Sequence, residues 1–573
     1  MSQPVCVKNS MAITAAALIA ILFMLDPGVL FYIAIIGSAL LVLTAILSPW
    51  LGLLALFPLA FALHPAPTSL GAQEIAFAAL LMAVFLSALI KLLRTLGFRS
   101  VLRLFAAPLL IGLGFLVLNL VVAMYHHVPM ADWIRGVVPF LFNYALIPIC
   151  ALVGREENNV RWLGVSVGTL ILLTAGYIVV YYFYHGLWQP YWTLQVNGEM
   201  VKIPYEEALR NVNAQGPMRD RITMVLAQAT DAILPMGMVL GYVVGTLTPD
   251  RRVAWISGLI SLLCAAAVLI TFTRSMLISA LLVIGLFALY TFFAHKHLRL
   301  KVVSGIVIQA LFSLVFIFAT GMQDVWLGRM NSLAKTALPI ATSSIASMEE
   351  KRMQPDAAAP VVSESKPAAN EKQDFNVSSR MGEKRTQPDA AAPVVSESKP
   401  AANEKQDFNV SSRVHEYKIA WSMFQDHPVL GNGIGIKHEM RWERPGGDSF
   451  TESVGYIHNW PLYMLMVGGL LGLLMYISVL GAPVVYRLTS LKSDPVHLTV
   501  IRTAVITLAI YGLFFAVFRL ISFNLLLAAA WGVMLAHKHS NQMMGTALPD
   551  GHPASLSNTR PVTVVKDTRE TSV

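Results

Sequence analysis

About fourteen apolar runs constrain this chain more tightly than any single motif in it. They lie near 11–25, 28–47, 51–63, 72–91, 104–124, 136–153 and 162–184. Seven more lie near 223–246, 253–272, 275–293, 302–320, 458–480, 498–517 and 520–537. A helix needs roughly 20 apolar residues to cross the hydrocarbon core of a bilayer. Most of the runs approach that length while 51–63 falls short, so 12 to 14 spans are expected. Only 13% of the residues are charged, against roughly 25% in a soluble domain. The fold class predicted is an all-α polytopic membrane protein.

Charge orients the spans. The formal net charge of +9 has a simpler source than a nucleic-acid partner, because Lys and Arg collect in cytoplasmic loops. The basic connections Lys91 to Arg103, Arg155 to Arg161, Arg251-Arg252, His295 to Lys301 and Arg487 to Lys492 all fall on one side by helix parity. That side is assigned as cytoplasmic, with both termini inside. The N-terminus reads as a first span rather than a removed signal peptide, with only Lys8 before its apolar run and no small-residue cleavage site. Three sizeable connections then face outward: 125–135, 185–222 and 321–457. Cys6, Cys150 and Cys264 are too scattered to indicate a disulfide framework or a thiol metal site.

The connection 321–457 is the largest polar stretch. Residues 350–380 recur almost unchanged as 383–413, a period of 33 residues. The copies are rich in Ala, Pro, Ser, Glu and Lys and poor in large apolar residues, so they cannot bury a core. A duplicated flexible tether is expected rather than a solenoid. The organisation predicted is a bundle over 1–320, a large loop over 321–457, further spans over 458–539 and a disordered tail over 540–573. Within the loop, 350–413 is the repeat and 413–457 the ordered part. Tyr417, Ala420, Trp421 and Phe424 have helix spacing, and His427-Pro428 closes that helix.

Arginines recur at outer helix ends, where positive charge is disfavoured. Arg274 breaks the apolar stretch ITFTRSMLISALLV, and Arg135 and Arg519 sit at other outer ends. Arg219 and Arg221 precede the run at 223, and Arg413 opens the segment RVHEYKIAW, a context Arg380 of the first copy lacks. Each alone reads as an interfacial anchor or as a ligand, and Asp132, Asp220 and Glu452 offer structural neutralisation. Together they suit a polyanionic headgroup, since guanidinium forks onto two phosphoryl oxygens.

His458 stands just before a long apolar run. It reads either as a proton acceptor near neutral pH or as a helix cap working with Asn459. His427 and His438 are weaker candidates. His126-His127 have no carboxylates at ligand spacing, so a metal-independent site is expected. Gly431-x-Gly433-x-Gly435 has no strand before it and no suitable helix after it, so it is not a dinucleotide fingerprint. It reads as a tight turn, or as a nest of amides for an anion. No cofactor is expected.

An arginine, then W-x-x-F, D-H-P-V-L-G-x-G-x-G, H-N and G-G-L-x-G-L follow in order between Arg413 and Leu473. This pattern resembles the O-antigen ligase and polymerase superfamily of bacterial membrane enzymes. The resemblance implies a GT-C-like arrangement in the inner membrane, with one large periplasmic loop and the active site on the periplasmic face. The implied donor is an undecaprenyl-pyrophosphate-linked glycan, and the acceptor is lipid A core or another glycan. It implies His458, Arg274 and Arg413 as catalytic, with Arg135, Arg219, Arg221 and Arg519 binding pyrophosphate. A polymerase of the same superfamily is the alternative reading. A lipid-linked glycan flippase is another, disfavoured because the cations lie at helix ends and no inverted repeat is visible.

Overall fold

The computed structural model describes residues 3–24, 28–63, 71–154, 156–183, 191–196, 199–204, 232–271, 273–324, 326–328, 408–443, 449–486 and 495–546. The described residues fall into two compact units, one within Met1–Thr320 and Glu416–Val573, the other within Gly321–His415. The first repeat copy, and the second up to residue 407, lie outside the described residues. So do Arg219, Arg221 and the tail beyond 546.

The first unit is a helical bundle. It begins with α1 (Gln3–Met24), α2 (Val29–Leu47), α3 (Pro49–Leu59), α4 (Ala72–Leu96), α5 (Phe98–Tyr125), α6 (Met130–Leu141), α7 (Leu146–Val153) and α8 (Glu157–Phe183). The antiparallel hairpin β1–β2 (Tyr191–Val196, Glu199–Pro204) follows. Next come α9 (Ile233–Leu247), α10 (Arg251–Ile270), α11 (Arg274–Ala294) and α12 (Arg299–Ala319). Helix α13 (Phe408–Asp426) leads into a second antiparallel hairpin, β3–β4 (His438–Glu443, Ser449–Val454). The chain closes with α14 (Trp460–Val485), α15 (Val496–Tyr511) and α16 (Ile521–Thr546). Among the described residues, 11 helices are long and apolar enough to cross a membrane, and three shorter apolar ones are Pro49–Ala62, Ile233–Leu247 and Val496–Tyr511. Together they account for the apolar runs of the sequence.

Lipid tails are as apolar as leucine, so polar bonds and close packing carry much of the helix association. Asn143 donates through Nδ2 to Asn524 Oδ1 at 2.9 Å, joining the turn after α6 to α16. Ser166 Oγ donates to the Leu54 carbonyl at 2.6 Å, tying α8 to α3. Trp531 Nε1 donates to the Val479 carbonyl at 2.8 Å, tying α16 to α14.

Helix α14 departs from the continuous apolar helix expected after His458. Gly469 has φ 59° and ψ −159° and divides it into arms 460–468 and 470–485. The rings of Trp460 and Tyr476 lie 5.6 Å apart, whereas 16 residues span about 24 Å along an unbroken helix. The arms therefore fold back on one another. A Cβ on Gly472 would stand 3.6 Å from the Met464 carbonyl, which fits the same hairpin.

Such a break frees backbone groups, and each one left unsatisfied in hydrocarbon costs several kcal/mol. The loop between α13 and β3 satisfies them from both sides. The Asn432 and Gly433 amides donate to the Met466 and Val467 carbonyls at 2.9 and 2.8 Å. The Leu470 and Leu471 amides donate to the Pro428 and Val429 carbonyls at 2.8 and 3.2 Å. One glycine-rich loop clasps both arms.

Candidate functional site

Three glycines make the clasp possible. Gly431, Gly433 and Gly435 all have positive φ, at 70°, 85° and 92°. A Cβ on Gly431 would meet the Gly468 amide nitrogen at 2.5 Å, and one on Gly433 would meet Ala123 Cα at 2.7 Å. One on Gly435 would lie 2.7 Å from the backbone of Asp132 and Trp133. The loop is thus wedged between the α14 break, the end of α5 and the start of α6. The Asn432 and Gly433 amides already serve carbonyls of α14, so the tight-turn reading of this motif fits the structure better than an anion nest. Lys437 Nζ pairs with Asp132 at 2.8 Å on the same rim.

His458 lies at the foot of the first arm, away from the break. The end of α15 holds this foot: the Trp460 amide donates to the Gly512 carbonyl at 3.0 Å, and Trp460 Nε1 to the Ala509 carbonyl at 2.9 Å. Asn459 Oδ1 accepts from the Leu462 amide at 3.0 Å, and its Nδ2 donates to the Leu513 carbonyl at 3.1 Å. Asn459 is therefore the N-cap. The His458 ring points elsewhere.

That ring faces a carboxylate which the sequence did not single out. His458 Nδ1 is 2.8 Å from Glu416 Oε1 and 3.2 Å from Oε2. The two side chains are 11% and 3% exposed, so the pair is largely shielded from solvent. The rings of Tyr456 and Phe515 meet the imidazole edge-on, at 5.1 and 5.4 Å between centroids. Tyr417 Oη donates to the His458 carbonyl at 3.3 Å. Helix α13 forms where the apolar spacing predicted, but its buried face is Glu416 and Ala420, while Trp421 is 48% exposed. A glutamate one helical turn before Ala420 was the available signal, and spacing alone does not say what it faces.

The arginines fare differently. Arg519 stacks over the Tyr456 ring at 4.5 Å, which brings it into the neighbourhood of His458. Arg135 is exposed on α6, and α6 packs against the short turn Val517–Arg519. Arg274 is the first residue of α11, a helix that packs on α15. Arg413 lies three residues before Glu416 on α13.

His438 is buried at the start of β3. The rings of His126 and His427 meet edge-on, 4.4 Å between centroids. Burial, then the neighbouring His427 and His127, lower the His126 pKa against the raising effect of a backbone hydrogen bond at Gly431. Among the described residues, no group of three or more His, Cys, Asp or Glu is placed to hold a metal.

Fold and site together define a multi-pass α-helical membrane protein with a shielded imidazole–carboxylate pair beside a broken span. The family model described as O-antigen ligase matches residues 259–477, supporting the O-antigen ligase superfamily. The matched stretch carries Arg274, Arg413, Glu416, His458 and the glycine clasp, and it leaves Arg135 and Arg519 outside. A search of curated proteins finds no match.

Proposed function

We propose that this protein transfers a glycan from a lipid pyrophosphate, in the manner of an O-antigen ligase, to a hydroxyl of a second glycan such as lipid A core. His458 Nε2 takes the proton of the acceptor hydroxyl as its oxygen forms a bond to the anomeric carbon. The bond from that carbon to the pyrophosphate oxygen breaks, and the undecaprenyl pyrophosphate leaves as an anion. Direct displacement of this kind inverts the anomeric centre.

The observation that carries this reading is the shielded His458–Glu416 pair within the stretch that matches the ligase family. The arginines add to it. Arg274 opens α11, where the helix dipole is already positive, and a pyrophosphate relieves both charges. Arg135, Arg413 and Arg519, with Arg219 and Arg221 outside the described residues, supply the remaining cations for the headgroup. The reaction is metal-independent in this reading. Basic connections on one side of the spans favour an inner-membrane protein with both termini cytoplasmic and the site on the periplasmic face.

Purified protein with a lipid-pyrophosphate glycan donor tests the reading through separate binding and transfer assays. His458→Ala is expected to bind donor normally and to transfer it about 10²–10⁴-fold more slowly. Arg274→Lys keeps charge but loses the planar fork, so weaker donor binding is expected. Parental transfer by His458→Ala at equal abundance would overturn the mechanism. Products carrying a second lipid-linked repeat unit as acceptor would mark a polymerase instead.

A further inference from the structure

We infer that Glu416 is the positioning residue of this site: it holds His458 in the Nδ1–H tautomer and leaves Nε2 as the proton acceptor. The inference rests on His458 being the base and assigns the group that makes it one. An isolated neutral imidazole carries its proton on either nitrogen, and the hydrogen bond made by one nitrogen decides the role of the other. Both carboxylate oxygens of Glu416 lie within 3.2 Å of Nδ1. An ionised carboxylate can only accept, so Nδ1 must donate.

Orientation is fixed along with protonation. Tyr456 and Phe515 meet the imidazole edge-on, so rotation that would exchange the nitrogens meets aromatic rings. Glu416 is itself held by the fold, since it shares a buried helix face with Ala420, which is 0% exposed. A carboxylate this far from water is costly to keep without a partner. In the reaction step the acceptor proton moves to Nε2, and the imidazolium that results stays hydrogen-bonded to Glu416 through Nδ1. When product leaves, that proton returns to solvent and no net charge accumulates.

Histidine-¹⁵N-labelled full-length protein in detergent gives a readout separate from turnover. The parent is expected to show His458 with a protonated Nδ1 and a bare Nε2, identified by the signal missing from His458→Ala. A protonated Nε2 in the neutral parent would overturn the inference. Kinetics on lipid-pyrophosphate donor supplies the second arm. Glu416→Gln is expected to lower kcat about 10- to 100-fold, the range of lost orienting partners elsewhere, with donor KM unchanged. Glu416→Asp should recover part of the loss. On a His458→Ala background Glu416→Gln should cost nothing more, because Glu416 acts through His458.

Parental kcat in folded Glu416→Gln, or a further loss on the His458→Ala background, would also overturn it. If Glu416→Gln fails to fold, the tautomer of the parent and the Glu416→Asp variant still decide. Failure of the base reading is distinguishable. His458→Ala would then transfer at the parental rate even though the Nδ1–H tautomer is seen.

Discussion

Two spans of this bundle reverse what their composition suggests. An 18-residue window of Lys296–Ala319, the stretch containing α12, has a mean hydropathy of 2.5, and only 11% of it is buried within the protein. The stretch Ile521–Lys538 of α16 reaches only 1.3 and is 78% buried. In water the more apolar helix would occupy the centre. In a bilayer the lipid accepts apolar surface as readily as protein does, so hydropathy decides insertion and polar complementarity decides position. Helix α16 is central because Asn524 and Trp531 find partners there. Helix α12 turns Ile308, Leu311 and Leu314 outward, where lipid suits them.

The broken α14 sharpens the contrast. Its hairpin persists because loop 428–433 pairs the backbone groups freed at Gly469. Gly469→Ala should have the largest effect. The added Cβ would stand 2.4 Å from Val429 backbone atoms, and φ and ψ there fall in a glycine-only region. Such backbone costs about 1–3 kcal/mol, and overpacking adds about 1–3 kcal/mol. A large drop in the thermal midpoint in detergent, with loss of transfer, is expected. An unchanged midpoint would mean that the break is not held by this contact.

A smaller effect is expected at Asn524→Leu, and its sign is the informative part. The change makes α16 more apolar, yet it removes the acceptor for Asn143 Nδ2 and the donor to the Phe518 and Leu520 carbonyls. A loss of about 1–3 kcal/mol follows from leaving such groups unpaired. Stabilisation, read as a raised thermal midpoint, would break the comparison. Leu311→Ala on α12 makes the opposite change. It lowers hydropathy at a residue that is 56% exposed, and stability should shift by no more than about 0.5 kcal/mol.

The apolar runs alone determined that the chain would be a multi-pass helical membrane protein. The physical reason is local: backbone in hydrocarbon must bond within its own segment, so length and apolarity suffice to identify a spanning helix. Helix α13 and its stop before Pro428 were legible for a similar reason. The glycine positions announced a turn, and His458 drew notice by its place before an apolar run. Tertiary structure alone decided that α14 doubles back at Gly469, since an isolated G-G in an apolar helix gives no sign of the loop that will clasp it. It also chose Asn459 over His458 as the cap, and turned Glu416 inward to a histidine 42 residues away. A carboxylate's partner depends on which segments meet in space, and no spacing along α13 contains that information.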